Sequence, residues 1–282
     1  MATVIAKGTI PTIRKIIIYI FMIIGAIFVL FPFFWMIIVA LKPEGHEFRF
    51  DLIFQKPIWK NFADVWQNES YPFWRFFLNS IIVSTIGATA TTFLCALSGY
   101  AFAKKDFYLK EQLFWLLLST MMIPGMMFLI PQFAIVTKLK WINTYQGMIV
   151  PHLANVFGVF LMRQYMETIP SSLIESAKID GASELKIFFR LIVPLSITVI
   201  TMLFLLSFLF HWSNFLWHLV VNTPESDKLT LPVGLALYRG QYEVFYTKLM
   251  AASCFSIVPI AILFVLAQRF FIEGLTAGAI KE

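Results

Sequence analysis

SSLIESAKIDGASELKIFFRLIVPL, residues 171–195, is a charged, amphipathic island in a chain otherwise made of long apolar runs. Ser172 followed by Glu175 predicts a capping box, in which the serine oxygen and the glutamate carboxylate each satisfy a backbone N–H at a helix start. The helix so begun runs to Lys178 or Ile179 and stops at Asp180-Gly181, where glycine supplies the left-handed residue of a helix end. A second short helix is expected over 183–189, before Pro194 opens a long apolar segment. Leu173, Ala177 and Ile179 before the corner, with Leu185, Phe188 and Phe189 after it, form an apolar ridge. Such a ridge calls for a cover, either a partner or the membrane surface.

The rest of the chain sets the island in context. Of 282 residues, 59% are apolar and only 13% charged, and the mean hydropathy is +0.79. That is an all-α integral membrane protein. Six apolar stretches have the roughly 20 residues needed to cross the hydrocarbon core. They cover residues 16–41, 76–103, 112–137, 142–162, 191–221 and 249–268, placing the island between the fourth and the fifth. The first is too long for the apolar core of a signal peptide and lacks an A-x-A cleavage site, so it reads as a retained span, broken near Pro32. Pro124, Gly125 and Pro131 predict a kink in the third, and the fourth carries Pro151. Residues 1–75 are thus a terminal segment, a first span and a polar loop, and residues 76–282 hold the other five spans.

The net charge of +6 comes from basic residues flanking the spans, with no run longer than a pair, so nucleic acid is not implicated. Lys and Arg divide almost evenly between the two sides, too evenly to orient the chain. Cys95 and Cys254 sit in apolar runs with no ligand set around them. His211 and His218 are seven apart, not the i, i+4 of helical metal pairs, and no metal site is expected. No GxxxxGK[ST] occurs, and the glycine-rich residues 87–92 lack the lysine that reaches a phosphate. Paired carboxylates and Ser-His-Asp sets are missing too, so the chain is not expected to be an enzyme. The spans contain none of the buried carboxylates an ion-coupled carrier would want. Polar groups at membrane depth suggest a solute path, and Asn79, His152, Asn155, His211, Trp212 and Asn214 are its candidates. The competing role for each is a hydrogen bond between helices.

The island also resembles a known family. Glu175, Ala177, Asp180, Gly181, Ala182, Ile192 and Pro194 fill the E-A-A-x-x-D-G-A, then I-x-x-P, pattern of permease subunits in binding-protein-dependent ABC importers; Ser176 replaces the middle alanine. FLNSIIVSTIGATATTFLCALSGYAFAK, HWSNFLWHLVV and the tail FIEGLTAGAIKE are similar to carbohydrate-uptake members, which include the smaller permease of maltose-type systems. Ser213 stands between Trp212 and Asn214, a departure from the WN-rich segment of that branch.

The resemblance implies that Glu175, Ala177, Asp180, Gly181 and Ala182 belong to a cytoplasmic coupling helix docked on a dimer of ABC ATPases. Those partners use the ATP and Mg, and this chain binds no cofactor. It implies a tail contact to the ATPase through Glu273, Gly274 and Gly278. It implies a second, homologous permease and an extracytoplasmic solute-binding protein, contacted near Leu231, Gly234, Tyr238 and Tyr242. The substrate would be a sugar or oligosaccharide, or a polyol, glycerol phosphate or uronate oligosaccharide. The setting would be the cytoplasmic membrane of a bacterium or archaeon, with both termini inside.

Overall fold

The computed structural model describes residues 12–49, 57–68, 72–238 and 245–279, with side chains to Arg269. All regular structure among them is helical. The helices are α1 (Thr12–Ala40), α2 (Lys60–Trp66), α3 (Phe73–Lys104), α4 (Lys110–Ser119), α5 (Leu129–Lys138), α6 (Tyr145–Ile149) and α7 (Val156–Glu167). There follow α8 (Ser171–Ile179), α9 (Glu184–Ile187), α10 (Val193–Leu195), α11 (Ile197–Ser213), α12 (Leu216–Val221), α13 (Leu231–Leu237) and α14 (Tyr246–Ala279).

Three helices are long and apolar enough to cross a membrane unaided: Ile13–Ala40, Phe73–Lys104 and Tyr246–Arg269. The other apolar stretches are bent. Lys110–Met122 meets Gly125–Lys138 at 90°, Tyr145–His152 meets Val156–Glu167 at 50°, and Glu184–Leu195 meets Ile197–Ser213 at 82°. The kink expected in the third stretch is therefore a right-angle break at Ile123-Pro124, where Pro124 is extended (ψ 126°). One proline expectation needs correcting: Pro32 lies inside an unbroken α1. Pro194 lies near the end of the helical run Glu184–Leu195, and the chain turns at Ser196. A π-helical turn, Phe188–Ile192, carries α9 into α10.

The centre of the fold is α3. Hydrophobic association is weak between helices in lipid, so close approach and hydrogen bonds must hold them together. The small residues of α3 serve that purpose. A Cβ on Gly87 would stand 2.6 Å from His211 Nε2 of α11, and the Cβ of Gly158 in α7 would fall 2.7 Å from Cys95 Sγ. Three buried clusters are strung along α3. Phe73, Phe76 and Ala88 join Phe208 and Trp212 of α11 and Ala251 and Ala252 of α14. Val83 joins Met148, Trp217 and Val221. Cys95, Ala96 and Tyr100 join Met162, Met166, Ile174, Ile187 and Leu203. By contrast α1 is exposed on every face from residue 13 to residue 34 and becomes buried only at Ile38, Val39 and Ala40.

Candidate functional site

The island folds as two short helices around a tight corner. Its first turn differs from the expected capping box. Pro170 (φ −59°, ψ 129°) makes the reversal and occupies the cap position with no side-chain bond. Ser172 is thereby drawn into the helix, where its carbonyl accepts from Ser176 Oγ at 2.9 Å. The corner itself is as expected. Gly181 has φ +77°. Its N–H donates to the Lys178 carbonyl at 2.9 Å, and the Ala182 N–H reaches the Ala177 carbonyl at 3.0 Å. That pair of bonds closes a Schellman end and satisfies two carbonyls the helix would otherwise leave open. Ser183 then caps α9, its Oγ accepting from the Lys186 N–H at 3.4 Å.

Two faces result. Ile174, Ile187 and Phe188 are buried in the cluster that includes Met162 and Met166. Phe188, expected on the ridge, instead points inward, sharing the buried face of Ile187 and Ile192 and packing against Tyr100. The outward ridge consists of Leu173, Ile179 and Leu185, with Ile179 86% and Leu185 67% exposed, whereas Phe189 stacks on Phe93 of α3. Glu175, Asp180 and Gly181 are exposed beside it, while Ala177 and Ala182 are half-buried beneath. The exposed apolar side chains thus lie among charges of both signs, Glu175 and Asp180 with Lys178 and Lys186.

The sequence did not reveal what fixes this surface to the rest of the chain. Glu184 Oε2 accepts from Lys105 Nζ and, at 3.2 Å, from Tyr100 Oη, while its Oε1 pairs with Lys178 Nζ at 3.4 Å. The hydrogen bond from Lys105 is the main cause holding the Glu184 carboxyl below its ordinary range. Lys104 donates to the carbonyls of Ile169 and, at 3.2 Å, of Glu167, beside the entry to α8. One turn back, Arg163 Nη2 and Nε each lie 2.7 Å from a carboxylate, Glu111 of α4 and Glu167 of α7, and the guanidinium stacks 3.9 Å from the Phe114 ring centre. These partners are 52 and 79 residues apart in the chain for Glu111 and Lys105 respectively, and no local pattern joins them.

The interior polar candidates divide by role. Asn79 is a brace: its Nδ2 donates to the carbonyls of Asp227 and Leu229, both at 2.9 Å, and its Oδ1 accepts from Tyr145 Oη at 2.7 Å. Ser80 Oγ beside it accepts from the Leu231 N–H at 2.7 Å. Asn155 and Asn214 stand at helix breaks, where their Oδ1 atoms accept from the N–H groups of Gly158 (2.7 Å) and Trp217 (3.3 Å). Trp212 is packed between the rings of Phe77 and Phe208. His152 and His211 come together with ring centres 6.3 Å apart, flanked by Phe210 and Trp217, and His152 Nε2 and His211 Nδ1 have no partner among the described residues. No metal-binding group occurs among the described residues.

Toward the other end, Leu231, Gly234 and Tyr238 are buried, and a Cβ on Gly234 would fall 2.1 Å from the Phe76 ring. Exposed residues on the same connection include Thr223, Pro224, Glu225, Asp227 and Ala236. Tyr242 lies outside the described residues. Helix α14 continues through Glu273, Gly274 and Gly278 to Ala279, positions whose side chains also lie outside the description.

Spanning helices gathered on α3, with a short helix pair presenting an exposed apolar and acidic face beyond them, define a polytopic membrane protein. Residues 95–272 match the family described as binding-protein-dependent transport system inner membrane component, and the chain belongs to that family. It is 36% identical over 260 residues to the arabinooligosaccharides transport system permease protein AraQ of Halalkalibacterium halodurans, covering 91% of this chain and 92% of that one. It is 31% identical to the trehalose/maltose transport system permease protein MalG of Thermococcus litoralis, covering 95% and 97%. It is 29% identical to the sn-glycerol-3-phosphate transport system permease protein UgpE of Yersinia pestis, covering 91% and 94%. Its fold matches a bacterial ABC transporter involved in the import of the acidic polysaccharide alginate, with a TM-score of 0.79 over 92% of this chain and 96% of that chain at 21% identity.

Proposed function

We propose that the chain is one of two homologous permease subunits of an ATP-driven importer for a sugar or oligosaccharide. The observation that carries this reading is the rigid corner at Gly181 with its outward ridge of Leu173, Ile179 and Leu185, in a member of a binding-protein-dependent transport family. In the proposal, residues 171–189 are the coupling helices, seated in grooves of a cytoplasmic ATPase dimer that uses the ATP and Mg. Each bent pair counts as one span, giving six spans and both termini in the cytoplasm of a bacterium or archaeon. The tail around Glu273, Gly274 and Gly278 touches the ATPase. A solute-binding protein docks on the opposite face near the 222–242 connection.

ATP binding draws the ATPase halves together and moves the docked helix pair as a lever. The spans attached to it then open the path outward, and hydrolysis resets them. His152 and His211, the two interior candidates whose ring atoms lack protein partners, are the groups proposed to face that path. A second reading, a glycerol phosphate or an acidic oligosaccharide as cargo, draws support from the glycerol-3-phosphate and alginate relatives. The loop of residues 42–75 has as many acidic as basic residues, which does not favour an acidic sugar.

The test is a mild-detergent purification of the tagged chain from its native membrane, with mass spectrometry of what it retains. An ATPase, a second permease and a binding protein are expected, and the binding protein is then screened against arabino-oligosaccharides, maltose, trehalose and glycerol phosphate. Recovery of the chain alone, or as a homodimer without an ATPase, sinks the reading.

A further inference from the structure

We propose that α3 is the rod linking the two docking faces, attached to the coupling helices by Glu184 through Lys105 and Tyr100, and to the opposite connection by Asn79 and Ser80. The proposal rests on the importer reading above. Glu175, Asp180 and their neighbours face the ATPase in that reading, whereas Glu184 is a positioning residue that touches no partner.

The geometry at each end is specific. At the inner end, one carboxylate joins three elements: Lys178 on α8, Glu184 itself on α9, and Tyr100 with Lys105 at the end of α3. Lys104 holds the entry to α8 through the Ile169 carbonyl, so the entry to α8 and the start of α9 are both pinned to the end of α3. At the outer end, Asn79 and Ser80 hold the backbone at Asp227, Leu229 and Leu231. Between Asn79 and Lys105 the helix spans about 40 Å at 1.5 Å per residue.

The alternatives are poorer conductors. Both sequence neighbours of the helix pair are bent within their own length, by 50° on the α7 side and 82° on the α11 side, and bends absorb displacement. Of the three unbroken helices, α1 is exposed along its apolar length and α14 mostly so, whereas half of the apolar stretch of α3 is buried. A buried helix cannot flex away from a push as an exposed one can. Coupling through such a network is carried by packed side chains and hydrogen bonds with discrete arrangements.

The experiment uses the whole complex purified through this chain and reconstituted in phosphatidylethanolamine/phosphatidylglycerol liposomes. It reads the ratio of ATPase rates with and without the co-purified binding protein. Glu184→Ala and Lys105→Ala are each expected to lower that ratio at least about three-fold, and the double variant no further than either alone, as residues acting through one contact do. Asn79→Ala should lower the same ratio from the far end. Lys105→Cys and Glu184→Cys, each alkylated alone, should lose stimulation as the alanine variants do, and joining the pair with a short bismaleimide should restore it, because the two positions travel together. A bridged complex no better stimulated than the alkylated single variants would mean that the helix pair slides over α3 and overturns the proposal. Unchanged ratios in assembled Glu184→Ala and Lys105→Ala complexes overturn it equally. If no ATPase accompanies the wild-type chain, the importer reading itself falls, and this proposal with it.

Discussion

Gly99 of α3 lies so close to Met162 of α7 that a Cβ on the glycine would stand 2.4 Å from the methionine Cβ. This contact sets the spacing of the two helices just before both reach the helix pair. Gly99→Leu should therefore force them apart, at a cost of about 1–3 kcal/mol for overpacking. Thermal unfolding of the purified protein in detergent measures it. Gly25→Leu is the control, since nothing lies within 4 Å of that position on the exposed α1, and it should leave the unfolding temperature unchanged or raise it.

Gly181 has open space around it, so its requirement is conformational and not steric crowding. At φ +77° a β-branched side chain costs about 1–2 kcal/mol, while asparagine visits this region readily. Gly181→Val should insert into the membrane in normal amount yet retain little ATPase on purification, and Gly181→Asn should retain it. Equal ATPase recovery in both variants would show that the corner does not position the helix pair.

Replacing Asn79 by leucine keeps the volume and removes both donors to the 227–229 carbonyls and the acceptor for Tyr145 Oη. Each buried group left unpaired costs about 1–3 kcal/mol, enough to raise opening of the connection at least about five-fold. Trypsin cleavage at Lys228 from the outer side should quicken accordingly, and an unchanged rate would mean that the brace is redundant.

The Glu184 junction predicts a pH response with a definite sign. Lys105, through its hydrogen bond, lowers this carboxyl below the ordinary range. A lowered carboxyl contributes attachment that is full above its unfolded value, about 4.3, and is lost as the pH falls through the folded value. Hydrogen exchange over residues 171–189 should therefore show no loosening relative to α3 between about pH 6 and pH 8, and a selective rise only below about pH 4. Loosening near neutral pH would point to a different titrating group.

Legibility from sequence followed the range of the forces involved. The corner at Asp180-Gly181 is local chemistry and could be read from two residues. The long helices could be read from their apolar length. The capping box failed because Pro170, two residues earlier, had already fixed where the helix begins. Asn79, Asn155 and Asn214 read as path residues because an isolated amide in an apolar run looks the same whether it lines a path, caps a helix or braces a loop. Only the partners separate those roles, and for Asn79 they are 148 and 150 residues away. Glu184 carried no mark for the same reason. Its importance comes from Lys105 and Tyr100, which the fold delivers from another helix.

The right-angle break at Ile123-Pro124 bears on how the chain enters the membrane at all. Lys110–Met122 is 13 residues long, about 20 Å at 1.5 Å per residue, well short of the roughly 30 Å of hydrocarbon. Neither arm of that pair can span unaided, and the exposed backbone at the break is tolerated only beside protein or water. The continuous helices α1, α3 and α14 are long enough to lie in lipid as they stand. Each bent pair instead depends on a protein neighbour at its break, so the chain's broken helices are tenants of their packing partners and not of the bilayer.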